Sequence, residues 1–122
     1  MRRPYYTPGL LYQFEDLHPE HQGEVLSHLD EATARGSLWF YREDFPTYEA
    51  VWISKQAADV TLDRIAVIVR AIESGGAMRP ILIEELPEAG EEESSYWIEG
   101  AHRAFAAEEL GWKEVPVLER VA

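Results

Sequence analysis

Residues 99–103 read Glu-Gly-Ala-His-Arg, placing a carboxylate, a residue without a side chain, an imidazole and a guanidinium within one short stretch. Phosphate chemistry uses these groups. A glycine that leads a strand straight into a helix leaves free backbone amides beside an open backbone, an arrangement that binds anions. Arg103 would add a forked, charge-assisted donor pair, and His102 a second donor or a proton-transfer group near neutrality. Glu99 is the adjacent carboxylate. A cation in the first turn of a helix faces the positive end of the helix dipole, so Arg103 is locally misplaced unless an anion joins it. A second reading stands beside this one. Glu99 lies four residues before Arg103 and could pair with it, making the cluster a structural cap with no ligand.

For these groups to converge, the chain must bring a strand into Gly100 and a helix out of it. "YWIEG" reads as the strand and "AHRAFAAEELG" as the helix, closed by Gly111. Alanines at 101, 104, 106 and 107 would let that helix lie close to a sheet. "EVPVLERV" reads as the last strand. Upstream, "RPILIEEL" is a short apolar run opened by a proline, acceptable at the first residue of a strand, and "PEAGEEESS" reads as a solvated loop. Residues 61–74 return to helical spacing: Leu62, Ile65, Ala66, Val69 and Ile72 share a face, Thr61 can cap the start and Gly75-Gly76 ends it. Another helix fits residues 19–34, with Pro19 at its first position, Val25, Leu26, Leu29 and Ala32 on one stripe, and Gly36 as a stop. "SLWFY" and "EAVWIS", rich in aromatic and β-branched residues, predict two strands joined across "REDFPTY". From about residue 49 the order is strand, helix, strand, strand, helix, strand. The fold class is therefore α/β or α+β with a mixed sheet.

Bulk properties narrow the functions open to such a domain. The chain has 122 residues, enough for one domain with one real core. It has no apolar run long enough to span a bilayer and no signal-like start, which predicts a cytoplasmic protein without a membrane partner. Cysteine is absent, which removes disulfides, thiolate zinc sites and a cysteine nucleophile. Asp and Glu number 23 against 11 Lys and Arg, a formal net charge of −12. Non-specific duplex binding needs cations that neutralise phosphates, and Arg2-Arg3 is the only adjacent basic pair. The acidity serves solubility first.

"GAMRPILIEEL" and "YWIEGAHRAFAAEELGWKEVPVLERV" together resemble the ParB/sulfiredoxin superfamily, in which a G-x-x-x-P-I segment precedes a hairpin, a G-x-x-R helix start and a final V-P-V strand. Gly76 and Pro80-Ile81 match the first motif, Gly100 and Arg103 the second, and Gly111 with Val115-Pro116-Val117 the end. The resemblance covers roughly residues 49–122. It implies a ParB/sulfiredoxin-like domain at 49–122; residues 1–48, which it does not cover, are expected to form an extension (helix about 19–34, strand about 37–41) packed on the core. It further implies a nucleotide pocket. Gly100, Ala101, His102 and Arg103 would hold the phosphates of a nucleoside di- or triphosphate with Mg2+, while Gly76, Met78, Arg79 and Pro80 form the neighbouring wall.

Departures from the family pattern sort its activities. Sulfiredoxins carry a cysteine where Ala101 stands, and an alanine methyl is no nucleophile, so that chemistry is not expected. Partition-type relatives continue into a helix-turn-helix domain, whereas this chain stops at Ala122, which ranks a ParB-like DNA-associated role last. "EGAHR" is closer to the form found in nucleotide-dependent kinases of small molecules such as free serine. The expectation is thus a nucleotide-binding domain acting as a small-molecule phosphotransferase or nucleotide hydrolase. Glu99 and His102 are its candidate catalytic groups and Asp59 a poorer one. The alternative from another class is a non-catalytic module whose acidic surface engages a second protein.

Three weaker constellations have plainer readings. His18, His21 and His28 suit a solvated helix surface better than a metal site, which needs three converging ligands. The glutamates at 84, 85, 88, 91, 92 and 93 suit a soluble hairpin loop. Trp39, Trp52, Trp97 and Trp112 are expected in the core rather than as a stacking platform for a base.

Overall fold

The computed structural model describes residues 5–55, 60–86 and 95–122. Among these residues five strands form one mixed sheet: β1 (Leu11–Gln13), β2 (Leu38–Pro46), β3 (Ile81–Leu86), β4 (Ser95–Glu99) and β5 (Glu114–Arg120), in the order β1-β2-β5-β3-β4. All neighbours are antiparallel except β3 and β5, which run parallel, with Ile81 opposite Val117 and Ile83 opposite Glu119. A parallel pair needs a crossover, and α5 (Ala101–Glu109) provides it between β4 and β5. The remaining helices are α1 (Pro19–His28), α2 (Glu31–Arg35), α3 (Thr47–Ser54) and α4 (Leu62–Glu73). The fold is α+β, as the residue patterns predict. No helix among the described residues is long and apolar enough to cross a membrane.

Alternation along the strands divides the core in two. Ile81, Ile83, Ile98, Val115 and Val117 face α3, α4 and α5, where Ala104, Ala106 and Ala107 are fully buried. Those methyl-sized residues let α5 approach the sheet closely, as expected. On the opposite face Leu82, Leu118, Trp39 and Tyr41 pack under Val25 of α1, Ala34 of α2 and the aromatic segment from Tyr6 to Leu17. Both faces of β3 and β5 are therefore covered, which accounts for their nearly continuous apolar runs.

Several elements depart from the sequence expectations. "EAVWIS" is helix, not strand: Thr47, Ala50, Val51, Ile53 and Ser54 are buried, and the recurrence at 47, 50, 51 and 54 is a helical spacing that high strand propensity had masked. The helix expected over 19–34 is two, broken at Leu29, because the Asp30 carboxylate accepts the Thr33 amide and hydroxyl and starts a new helix. Of the predicted stripe Val25 is buried and Leu29 packs on the core, whereas Leu26 and Ala32 are exposed; His21, Glu24 and His28 are the other inward residues of α1. On α4, Leu62 and Ala66 face solvent while Ile65, Ile68, Val69 and Ile72 contact the core. Thr61 makes no side-chain cap. Glu84 is buried rather than part of a solvated loop, paired with Arg120 and with His28 Nε2 3.3 Å away. Residues 87–94, which hold the other loop glutamates except Glu85, lie outside the described residues, as do Asp59 and Arg2-Arg3.

Candidate functional site

β4 ends at Glu99, and Gly100 turns the chain into α5 with φ 112° and ψ 31°, a left-handed conformation that disfavours any side chain. The Gly100 carbonyl accepts the amides of Arg103 (2.9 Å) and Ala104 (3.1 Å), which closes the first helical turn. Among the described residues the amides of Ala101 and His102 have no backbone acceptor. Residues 99–103 line a cavity of about 530 Å3 together with Glu24, Arg64 and Arg79.

Arg103 does not wait in that cavity with an open guanidinium, nor does it pair with the Glu99 carboxylate. It is 6 % exposed, and its NH2 group donates to both oxygens of Glu24 at 3.1 and 3.2 Å and to the Glu99 carbonyl at 3.4 Å. NH1 donates to the Pro80 carbonyl. Side chains in the first turn of a helix lean back toward its N-terminus, which here means toward the start of β3 and the inner side of α1. A Cβ on Gly100 would lie 2.7 Å from the Arg103 guanidinium. The glycine is thus required twice by the fold itself, once for φ and once to seat its own arginine.

The electrostatics follow from burial. Desolvation pushes the Glu24 carboxyl above its usual range, against the pull of Arg103 and Arg79, and the same loss of water lowers Arg103 despite Glu24 beside it. Arg79 bridges outward from this pair, 3.1 Å from Glu20 and 3.5 Å from Glu24. His102 Nε2 accepts the amide of Thr61 at 3.1 Å, so the imidazole serves the start of α4. Burial, then Arg64 and Arg103, hold its pKa down, and the neutral ring carries its proton on Nδ1.

The expected site residues are not all in one place. Gly100, Ala101, His102, Arg103, Glu99 and Arg79 share the cavity, with Pro80 bonded to it through its carbonyl. Gly76 and Met78 line a different cleft, against Tyr5 and Trp112. Gly76 terminates α4, where a Cβ would come 2.8 Å from the Ala71 carbonyl. Sequence reading missed Glu24 and Arg64. Glu24 carried a recoverable signal, since it lies between His21, Val25 and His28 at helical spacing, a charge inside an inward stripe.

The three α1-region histidines also have separate occupations. The His18 ring accepts the Glu20 amide, His21 is fully buried with Nδ1 2.6 Å from the Tyr6 hydroxyl, and His28 stacks on Trp97 at 3.9 Å. Trp39 is fully buried and Trp97 half-buried, whereas Trp52 is exposed on α3 and departs from the core expectation.

Compared with known families, residues 54–121 match the ParB N-terminal domain. No curated protein and no solved structure matches the chain.

Proposed function

The chain belongs to the ParB N-terminal domain family, and on that premise we propose that it binds the phosphates of a nucleoside di- or triphosphate, with Mg2+, at the start of α5. The supporting observation is the pair of Ala101 and His102 amides, which have no backbone acceptor among the described residues and lie at a cavity that also carries Arg64 and Arg79. Amides at a helix start attract anions, and the cavity volume suits a small ligand. A phosphate oxygen there competes with Glu24 for the Arg103 guanidinium. Burial already disfavours the Glu24 carboxylate, which eases that exchange.

Mg2+ would offset the repulsion between phosphate and the two cavity carboxylates, Glu24 and Glu99, while needing few protein ligands. For transfer or hydrolysis the chain positions the phosphate and holds a base beside the acceptor hydroxyl. Glu99 takes that role in preference to His102, whose Nε2 lone pair is occupied by Thr61. His102 can donate from Nδ1.

Calorimetry with ATP, ADP and CTP plus Mg2+ tests the binding claim. Arg79 is half-buried and holds no backbone in place, so Arg79→Ala is expected to stay folded and to bind at least ~10-fold more weakly, about 1.4 kcal/mol. Absence of heat from all three nucleotides would overturn the reading. Incubation of each nucleotide with a pool of small hydroxyl compounds tests turnover. Glu99→Gln should abolish product there, and unchanged nucleotide with the wild type would remove the enzymatic part.

A further inference from the structure

At the opposite end of β3 and β4 from Gly100 lies a second cleft, of about 400 Å3, between α3 and the sheet. Its floor is apolar, formed by Phe45, Ile53 and Ile83, each at most 7 % exposed. Its rim is aromatic and acidic: Trp52 is 57 % exposed, Tyr96 is 37 % exposed, and Glu49 and Glu85 are exposed carboxylates. The two other charged residues that line this cleft, Glu119 and Arg120, are already engaged. Glu119 pairs with Arg42 at 3.2 Å, and Arg120 pairs with Glu84 on the other side of the sheet. Among the described residues Glu49 and Glu85 have no cationic partner.

We propose that this cleft receives an arginine side chain from a basic segment of a partner protein. An apolar floor accepts the methylene stem, an exposed indole face offers cation–π stacking to a guanidinium, and two unpaired carboxylates offer forked acceptors. Lysine would satisfy the charge but not the planar stacking. A macromolecular source follows from what lies across Trp52. A further cleft of about 370 Å3, lined by Tyr48, Val51, Lys55 and Glu108, shares Trp52 and Glu49 with the first. Tyr48 is 72 % exposed. Two clefts on either side of one exposed tryptophan suit successive side chains of a peptide lying across α3, the arginine in one and an aliphatic residue in the other. The net charge of −12 complements a basic segment and attracts it over distance. The nucleotide site takes no part in this inference.

The test uses the full chain and a fluorescein-labelled capped peptide carrying Leu-Ser-Arg-Ser-Leu, followed by anisotropy, with indole resonances of Trp52 read by NMR. The expected result is saturable binding that shifts the Trp52 indole and weakens about 3- to 5-fold in Trp52→Ala and in Glu49→Gln/Glu85→Gln. These are exposed positions, and far-ultraviolet circular dichroism checks that each variant is folded. Replacing the peptide arginine by citrulline, its neutral isostere, should reduce affinity to a similar degree, and lysine should fall between. The proposal is overturned if the peptide does not bind, if citrulline binds equally, or if the variants bind as the wild type does. Free argininamide binding as tightly as the peptide would also overturn it, since the occupant would then be a small molecule.

Discussion

Arg103 answers to two demands at once, and its burial decides which is met in the folded chain. Its guanidinium is enclosed by Glu24, the Pro80 carbonyl and the Glu99 carbonyl, so three separated segments meet on one cation. Removing only the cation leaves the partly buried Glu24 carboxylate with no cation but Arg79, 3.5 Å away and more exposed. Arg103→Met is therefore expected to lower unfolding free energy by about 3 kcal/mol, and Glu24→Gln by less, since its amide still accepts from the guanidinium. Adding Glu24→Met to Arg103→Met should recover part of the loss, and urea unfolding of the cycle reads the coupling. Strict additivity would mean that the pair contributes nothing as a pair. His21 makes a second residue-scale prediction. Burial first, then Arg103 and Arg79, draw its pKa down to about 4 from 6.5. The unfolded chain thus binds more protons between those values, so stability rises with pH across about 4 to 6.5 and is fully present above that window. The contribution is about 3 kcal/mol at most. The His21 ring resonances should titrate near pH 4 by NMR, and titration near 6.5 in the folded state would contradict the buried environment.

Elements set which residues can reach the site, and propensity alone misassigned one of them. "EAVWIS" has strand-forming residues, yet Pro46 sits at the N-cap of a helix whose buried positions recur at helical spacing. Tertiary contact with α5 and the sheet outweighs the preference of single residues for extended backbone. That helix then presents Trp52 to solvent, where a strand assignment would have buried it. α5 shows the reverse, a helix whose alanines announced its packing before any coordinates. Since Ala106 is fully buried, Ala106→Leu must overpack the helix against the sheet. It should cost about 1–3 kcal/mol and lower the thermal midpoint, while exposed Glu108→Leu should leave it nearly unchanged.

Across the whole molecule, the N-terminal part is structural rather than appended. β1 and β2 extend the sheet beside β5, and α1 covers Leu82 and Leu118 while delivering Glu24 to Arg103. The family match begins at residue 54, inside α3's last turn, but the sheet does not end there. A fragment of residues 47–122 would expose the β5 edge and one apolar face of β3 and β5, which invites edge pairing. It is expected to aggregate or remain unfolded by size exclusion and circular dichroism; a folded monomer would refute the dependence. The amino-acid sequence by itself determined the order of the last four elements, the glycine turn at 100, the close packing of α5 and the family, because each is written in local spacing and motif. Only the tertiary structure decided that Arg103 is held by Glu24, that Gly76 and Met78 line a separate cleft, and that α3 is a helix. Those outcomes depend on segments far apart in the chain, and desolvation and contact between such segments leave no periodic trace in either one alone.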